Sequence, residues 1–270
     1  MSNVTPTNTF SVRKLPGFTA IAILCFAMLY APILVVVSYS FNAGSSLVLW
    51  EGFSWHWYYA AWQNEQVKTA TFLSVAVAVQ ASLYSTVLAT MAALGTTRTR
   101  AYRGQTTIYT IINQPLILPE IVTAVALLIC FAAIKQATDY RGLIYLVLAH
   151  TAFCIPFAYL PIRARLEDMD KSLETAAADL YATPWRCFKK ITLPLMWPGI
   201  LAGAMLAFVI SLDNVVITEF VKAPGQDTLP TYMLGQLRRA ITPEMNAIST
   251  VLLAISIIMI SLLFILQRKK

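Results

Sequence analysis

Long apolar runs separated by short polar stretches make up most of this chain, and no run alternates apolar and polar residues as a membrane barrel strand does. Six runs, 18–41, 69–95, 106–134, 143–161, 195–221 and 247–266, are each long enough to cross the bilayer as a helix, which takes about 20 residues. The pattern predicts an all-α integral membrane protein. It divides the chain into an N-terminal tail at 1–17, a transmembrane domain at 18–266 and a basic tail at 267–270. The first run is too long for the apolar core of a cleaved leader and has no small-residue cleavage site, so it is expected to stay as an anchor.

Composition agrees with that pattern. Of 270 residues, 58% are hydrophobic and 12% charged, against about 25% charged in a soluble domain. The net charge of +7 sits in short clusters between apolar runs rather than along a stripe, which favours a membrane surface over nucleic acid as partner. Fourteen of the twenty lysines and arginines fall on one side of the predicted spans: Arg13 and Lys14; Arg98, Arg100 and Arg103; six between Arg163 and Lys190; and Arg268 to Lys270. Short basic loops lie on the cytoplasmic side, so both termini are expected there, as an even number of spans requires.

Candidate chemistry is sparse. No phosphate-binding G-x-x-x-x-G-K-[ST] loop, H-E-x-x-H or G-x-S-x-G occurs, so no ATP site or catalytic centre is expected in this chain. Cys25, Cys130, Cys154 and Cys187 form no C-x-x-C pair and read as packing residues, and His56 and His150 are too distant in sequence to signal a metal site. The informative residues are polar groups inside apolar runs. Glu120 follows Pro119, and Asp213 and Asn214 interrupt the fifth run. A carboxylate at mid-membrane costs at least about 2.5 kcal/mol on insertion scales, so it normally faces a polar cavity or a partner. Glu120, Asp213 and Asn214 are therefore candidates for a cation path, while Glu219 reads as an outer-rim residue. Trp57 joins the candidates, although the aromatic crowd around it, Trp50 to Trp62, also fits an interfacial belt. Gly199, Gly203, Ala207 and Ser211 form a small-residue seam suited to close helix packing, within the chain or against another subunit.

The loop 163–192 is the longest basic connection, and its Leu173–Leu180 stretch favours a short helix. Thr183 and Pro184 then provide a cap and a first-turn proline for a second one. Ordered structure here implies that something docks on it.

This loop resembles the cytoplasmic signature of permease subunits of ATP-binding-cassette importers: an E-A-A triplet, a glycine one turn later and a closing I-x-L-P. Thr175, Ala176 and Ala177 occupy the triplet, Tyr181 the glycine position and Ile191 to Pro194 the ending. Thr175 and Tyr181 depart from the pattern, although Glu174 stands next to the triplet. A tyrosine in the glycine position implies a different turn, or one displaced toward Thr183 and Pro184. The stretches 211–217, 242–247 and 115–126, with the aromatic loop 50–58, are similar to the second permease subunit of the polyamine (spermidine/putrescine) branch.

The resemblance implies a type I importer fold in a bacterial inner membrane, with a cytoplasmic coupling helix between spans four and five. It implies four kinds of partner: an ATPase subunit dimer that holds ATP and magnesium, a second homologous permease, a periplasmic solute-binding protein and a small cationic solute. Glu174, Thr175, Ala176, Ala177, Asp179 and Tyr181 are then the expected ATPase-coupling residues. The branch has consecutive aspartates where this chain has Asp213 and Asn214. One negative charge fewer favours putrescine over spermidine and leaves an opine or amino-acid-like solute open. A stand-alone ion-coupled carrier would also use Glu120 and Asp213, without needing the ordered loop, and a membrane enzyme would lack a visible nucleophile.

Overall fold

The computed structural model describes residues 17–46, 49–99, 102–140, 142–239 and 242–268. Arg13, Lys14, Arg100, Arg141, Lys269 and Lys270, together with the tail before Gly17, lie outside the described residues. Twelve helices succeed one another among the described residues: α1 (Phe18–Tyr39), α2 (His56–Gln63), α3 (Glu65–Thr97), α4 (Gln105–Ile117), α5 (Glu120–Thr138), α6 (Ile144–Asp168), α7 (Ser172–Asp179), α8 (Pro184–Cys187), α9 (Leu193–Leu212), α10 (Val216–Val221), α11 (Leu229–Leu237) and α12 (Pro243–Arg268). A π-helical turn, Phe188–Thr192, joins α8 to α9. Among the described residues, six stretches are long and apolar enough to span a bilayer: Phe18–Tyr39, Glu65–Thr97, Glu120–Thr138, Ile144–Asp168, Pro184–Leu212 and Pro243–Leu262. The protein is an all-helical, multi-pass membrane protein.

By internal contacts the chain falls into two units, Met1–Ala61 with Thr242–Val251, and Trp62–Ile241 with Leu252–Lys270. In the first, no residue of α1 is buried, and its large side chains, among them Leu24, Phe26 and Met28, are presented outward as a lipid-facing or subunit-facing surface. The loop after α1 is organised by Asn42. Its Nδ2 donates to the carbonyls of Ser46 (3.0 Å) and Leu49 (2.8 Å), and its Oδ1 accepts from the Glu51 N–H. Phe41, Phe53, Trp55 and Tyr58 pack ring against ring beside it.

In the second unit, α3, α6 and α9 form the core. Asn64 starts α3 by accepting from the Gln66 and Val67 N–H groups, with Glu65 favourably placed in the positive first turn. Lipid offers no hydrophobic drive for helix association, so close van der Waals contact and interhelical hydrogen bonds must supply it. Small residues permit both. Ala78, Ala81, Ser85, Ala89 and Ala93 of α3 are buried, as are Gly199, Gly203, Ala207 and Ser211 of α9. The Ser82 hydroxyl donates to the Ala204 carbonyl (2.7 Å), joining α3 to α9. The Arg165 Nε–H donates to the Leu195 carbonyl (2.9 Å), joining α6 to α9. The α9 seam therefore packs within the chain, against α6.

Three expectations need correction. The run 106–134 is two helices, because Pro119 lacks the N–H that would continue α4 and leaves Leu118 extended at ψ 146°. The run 195–221 is likewise interrupted, α9 ending at Asp213 and α10 starting after Val215. Finally, the turn after α7 keeps its place. Tyr181 takes φ 58°, the left-handed conformation a glycine adopts easily, and the Ala182 N–H closes onto the Ala177 carbonyl (3.0 Å). This is the bonding of a glycine-terminated helix, held here by a tyrosine at a cost of about 1–2 kcal/mol.

Candidate functional site

Both helix breaks lead to one cavity. The end of α4 and the end of α9 release the backbone at Leu118–Pro119 and at Asp213–Val215, and the chain restarts as α5 and α10. A cavity of about 400 Å³ lies there, lined by Glu120, Phe153, Phe157, Val209, Ile210 and Asp213 to Val216. Non-helical backbone at membrane depth is tolerated where it lines such a space. The structure thus brings together three of the sequence candidates, Glu120, Asp213 and Asn214, and adds two aromatic rings from α6. Trp57 belongs to the loop of the first unit, where its indole N–H donates to the Asn42 carbonyl (2.9 Å) and pins the loop.

Asp213 and Asn214 do different work despite being neighbours. Asp213 is exposed, and no hydrogen bond or ion pair to its carboxylate is found among the described residues. Asn214 is buried. Its Oδ1 accepts from the Ile217 N–H (3.0 Å) and the Thr218 N–H (3.4 Å), which caps α10, while its Nδ2 donates to the Glu120 carboxylate. Glu120 itself is the first residue of α5, where the positive end of the helix dipole favours a carboxylate.

A buried polar relay supports this arrangement. His150 of α6 has its Nδ1 2.8 Å from the Ser211 hydroxyl and its Nε2 2.9 Å from the Thr218 hydroxyl. The Thr218 hydroxyl lies 3.0 Å from the Asn214 carbonyl, to which it donates. One imidazole thus ties α6 to both sides of the break after α9. Sequence reasoning considered His150 only as a metal ligand. The signal available was a histidine in an apolar run, which must find polar partners when buried, with Ser211 and Thr218 as the polar residues of a neighbouring run.

A second cavity of about 560 Å³ is lined by Glu65, Gln66, Glu219, Lys222, Asp227, Tyr232 and Arg239, among others. Lys222 Nζ contacts Glu219 (2.6 Å) and Asp227 (2.7 Å). Burial alone lowers the pKa of Lys222, but these carboxylates more than offset it and the net shift is upward, so the ammonium stays charged. Glu219 thereby shares one ammonium with Asp227.

At the other functional candidate, α7 and α8 form the helix–turn–helix expected from sequence. Asp170 accepts from the Ser172 N–H (2.8 Å) and hydroxyl (2.6 Å) ahead of α7. Thr183 accepts from the Arg186 N–H (3.4 Å) at the start of α8. The six predicted residues divide between two faces. Thr175, Ala176, Asp179 and Tyr181 are exposed, Tyr181 at 96%, and Leu180 (81%) and Trp185 (68%) extend that surface with apolar area. Ala177 is buried, and Glu174 turns inward to Arg98 and Thr192.

Both the sequence and the fold have known relatives. The family described as "Binding-protein-dependent transport system inner membrane component" matches residues 85–269. The chain is 37% identical to the "Putrescine transport system permease protein PotI" of Escherichia coli K12, over 91% of this chain and 89% of that protein. It is 33% identical to the "Spermidine/putrescine transport system permease protein PotC" of Haemophilus influenzae, over 93% and 96%. Among solved structures, a chain of the bacterial alginate ABC transporter in complex with an alginate pentasaccharide-bound periplasmic protein superposes with a TM-score of 0.66 at 13% identity, covering 93% of each chain. That likeness establishes the fold.

Proposed function

The chain belongs to the family of inner membrane components of binding-protein-dependent transport systems, and we propose that it forms part of the import path for a small aliphatic polyamine, putrescine before spermidine. It is a permease subunit, and that membership sets it apart from stand-alone ion-coupled carriers. The observation that carries the cargo is the cavity between the helix breaks. Glu120 and Asp213 provide two carboxylates, and Phe153 and Phe157 provide aromatic faces. A diammonium chain needs this combination: charge-assisted hydrogen bonds at its ends and apolar or cation–π contact along its length. With Asn214 uncharged, two negative groups meet two positive ones. The similarity to putrescine and spermidine permeases supports the same cargo.

The partners follow from the class: a second permease completing the path, a soluble periplasmic protein delivering the amine, and an ATPase dimer holding ATP and magnesium. We place both termini and the α7–α8 loop on the cytosolic side of a bacterial inner membrane, with the loop seated on the ATPase. The exposed face made by Thr175, Ala176, Asp179, Leu180 and Tyr181 meets that partner.

Uptake into proteoliposomes containing the whole transporter tests the cargo. Putrescine is expected to be the best competitor in a panel with spermidine and amino-acid-like solutes. Glu120→Gln is expected to raise the half-saturating putrescine concentration at least about tenfold, since a hydrogen bond to a charged group is worth about 1.5–3 kcal/mol. Competition by amino-acid-like solutes alone would refute a polyamine cargo. The docking face is tested by Ala176→Arg, which is exposed and free to accept a larger residue. Uptake is expected to fall several-fold with unchanged protein in the membrane, and undiminished uptake would remove α7 from the ATPase interface.

A further inference from the structure

Arg98 is the cap residue at the end of α3, and its guanidinium is enclosed. Its side chain is 12% exposed, and its three nitrogens are buried without a hydrogen bond among the described residues. An arginine so placed needs a counter-charge, because removing a cation from water is costly unless it is paired. The counter-charge is Glu174, whose Oε1 lies 3.2 Å from Arg98 Nε and also accepts from the Thr192 hydroxyl at 2.8 Å. The pair is at contact distance without the alignment of a hydrogen bond.

We propose that Glu174 and Arg98 form a transmission clasp that makes α3 follow α7. This rests on the proposed seating of the α7–α8 loop on the ATPase. Three observations meet at this one carboxylate. First, α7 is held weakly: it is eight residues long, and Ala177 is its one buried residue. A helix that short has little stability of its own, so its position depends on a few tertiary ties. Second, the tie runs to the helix best placed to pass movement on. α3 is 33 residues long and packs along both α6 and α9, the helices that flank the Glu120 cavity. Third, the local fields favour the pair. Arg98 sits at the negative end of α3 and Glu174 in the positive first turn of α7. Thr192, in the turn entering α9, shares the carboxylate, so a displacement of α7 reaches two core helices at once.

Glu174 on this account is a positioning residue directed into its own chain.

The test uses the complete transporter in proteoliposomes and measures uptake per ATP hydrolysed, with ATPase retention on purification as a separate readout. Arg98→Glu and Glu174→Arg are each expected to lower uptake per ATP at least about fivefold, the low end of coupling between sites, while the ATPase is retained. The double variant R98E/E174R is expected to recover most of the loss. Glu174→Gln, which keeps the shape and the acceptor for Thr192, is expected to uncouple partially. Accumulation of the double variant where the single reversals fail to accumulate would itself support the pairing. If none of the reversals accumulates, Glu174→Gln decides. Normal uptake per ATP in Glu174→Gln, or a well-assembled double variant as uncoupled as its parents, would overturn the clasp. Failure of the unaltered protein to retain an ATPase would instead sink the docking on which it rests.

Discussion

Replacing Gly203 with leucine is expected to prevent stable assembly of the protein in the membrane. The α9 backbone at Gly203 lies against α6 so closely that a Cβ added there would stand 2.6 Å from the Ala158 carbonyl oxygen and 3.2 Å from two carbons of Ile162. The nearest obstacle is backbone, which cannot rotate away as a side-chain end does. Ala158 and Ile162 are themselves fully buried beside Ala89, Ala93 and Met196. Extra methylenes in a packed core cost about 1–3 kcal/mol, and here they must also part the two helices that share the Cys154 to Ala207 and Arg165 to Leu195 contacts. Gly95→Ala provides the control. It is also helical, but nothing lies within 4 Å of its added Cβ, and removing a helical glycine stabilises by about 0.5–1 kcal/mol. Size-exclusion profiles and thermal stability of fluorescent fusions in detergent check both. A monodisperse Gly203→Leu protein at the wild-type level would mean that α9 can lift from α6 at no cost.

The same seam shows how much of the molecule was legible in the sequence. Hydropathy located the six spans, because twenty apolar residues in a row have few other uses. The small residues of 199–211 announced a close contact, but their partner, the Ala158 carbonyl on α6, is a backbone atom with no signature. Hydropathy also hid the breaks. A window wide enough to detect a span averages across Pro119 and across Asp213–Val215, so two interrupted runs looked continuous. In each case the local evidence was present in the letters, a proline before Glu120 and two polar residues in a row after Leu212.

The α7–α8 loop was legible to a similar depth. Thr183–Pro184 gave the start of α8 correctly, since capping is local chemistry. Tyr181 misled, because side-chain identity sets a preference for the left-handed region and the Ala182 to Ala177 closure overrides it. The direction of Glu174 was not available at all. On a two-turn helix a single position decides between partner and core, and its partners are Arg98 and Thr192, 76 and 18 residues away in sequence. His150 is the same kind of case, its two bonds reaching 61 and 68 residues along the chain.

Asn214 was misjudged more instructively, and it yields the second large effect. Counting charges treats it as an aspartate that is missing a charge. Its amide, however, acts in both directions, accepting from the Ile217 and Thr218 N–H groups and donating to Glu120. Asn214→Leu removes both functions. Loss of the cap costs about 1 kcal/mol, and the Glu120 carboxylate, left without its donor, adds about 1–3 kcal/mol. The variant is expected to lose measurable thermal stability and to lower putrescine uptake tenfold or more, by about the 1.4 kcal/mol that a factor of ten requires. Asn214→Asp separates the two functions. Its carboxylate still caps α10, but it is buried against Glu120 as a like charge and, ionised, cannot donate to it, so stability is expected to fall by less than in the leucine variant. Glu120 is then expected to turn away from the substituted side chain and toward the cavity, which in this variant holds three carboxylates instead of two and suits a more highly charged amine. Selectivity should move from putrescine toward spermidine, read as the ratio of their half-saturating concentrations. An unchanged ratio in the aspartate variant, together with full uptake in the leucine variant, would show that the amide orients nothing the cargo touches.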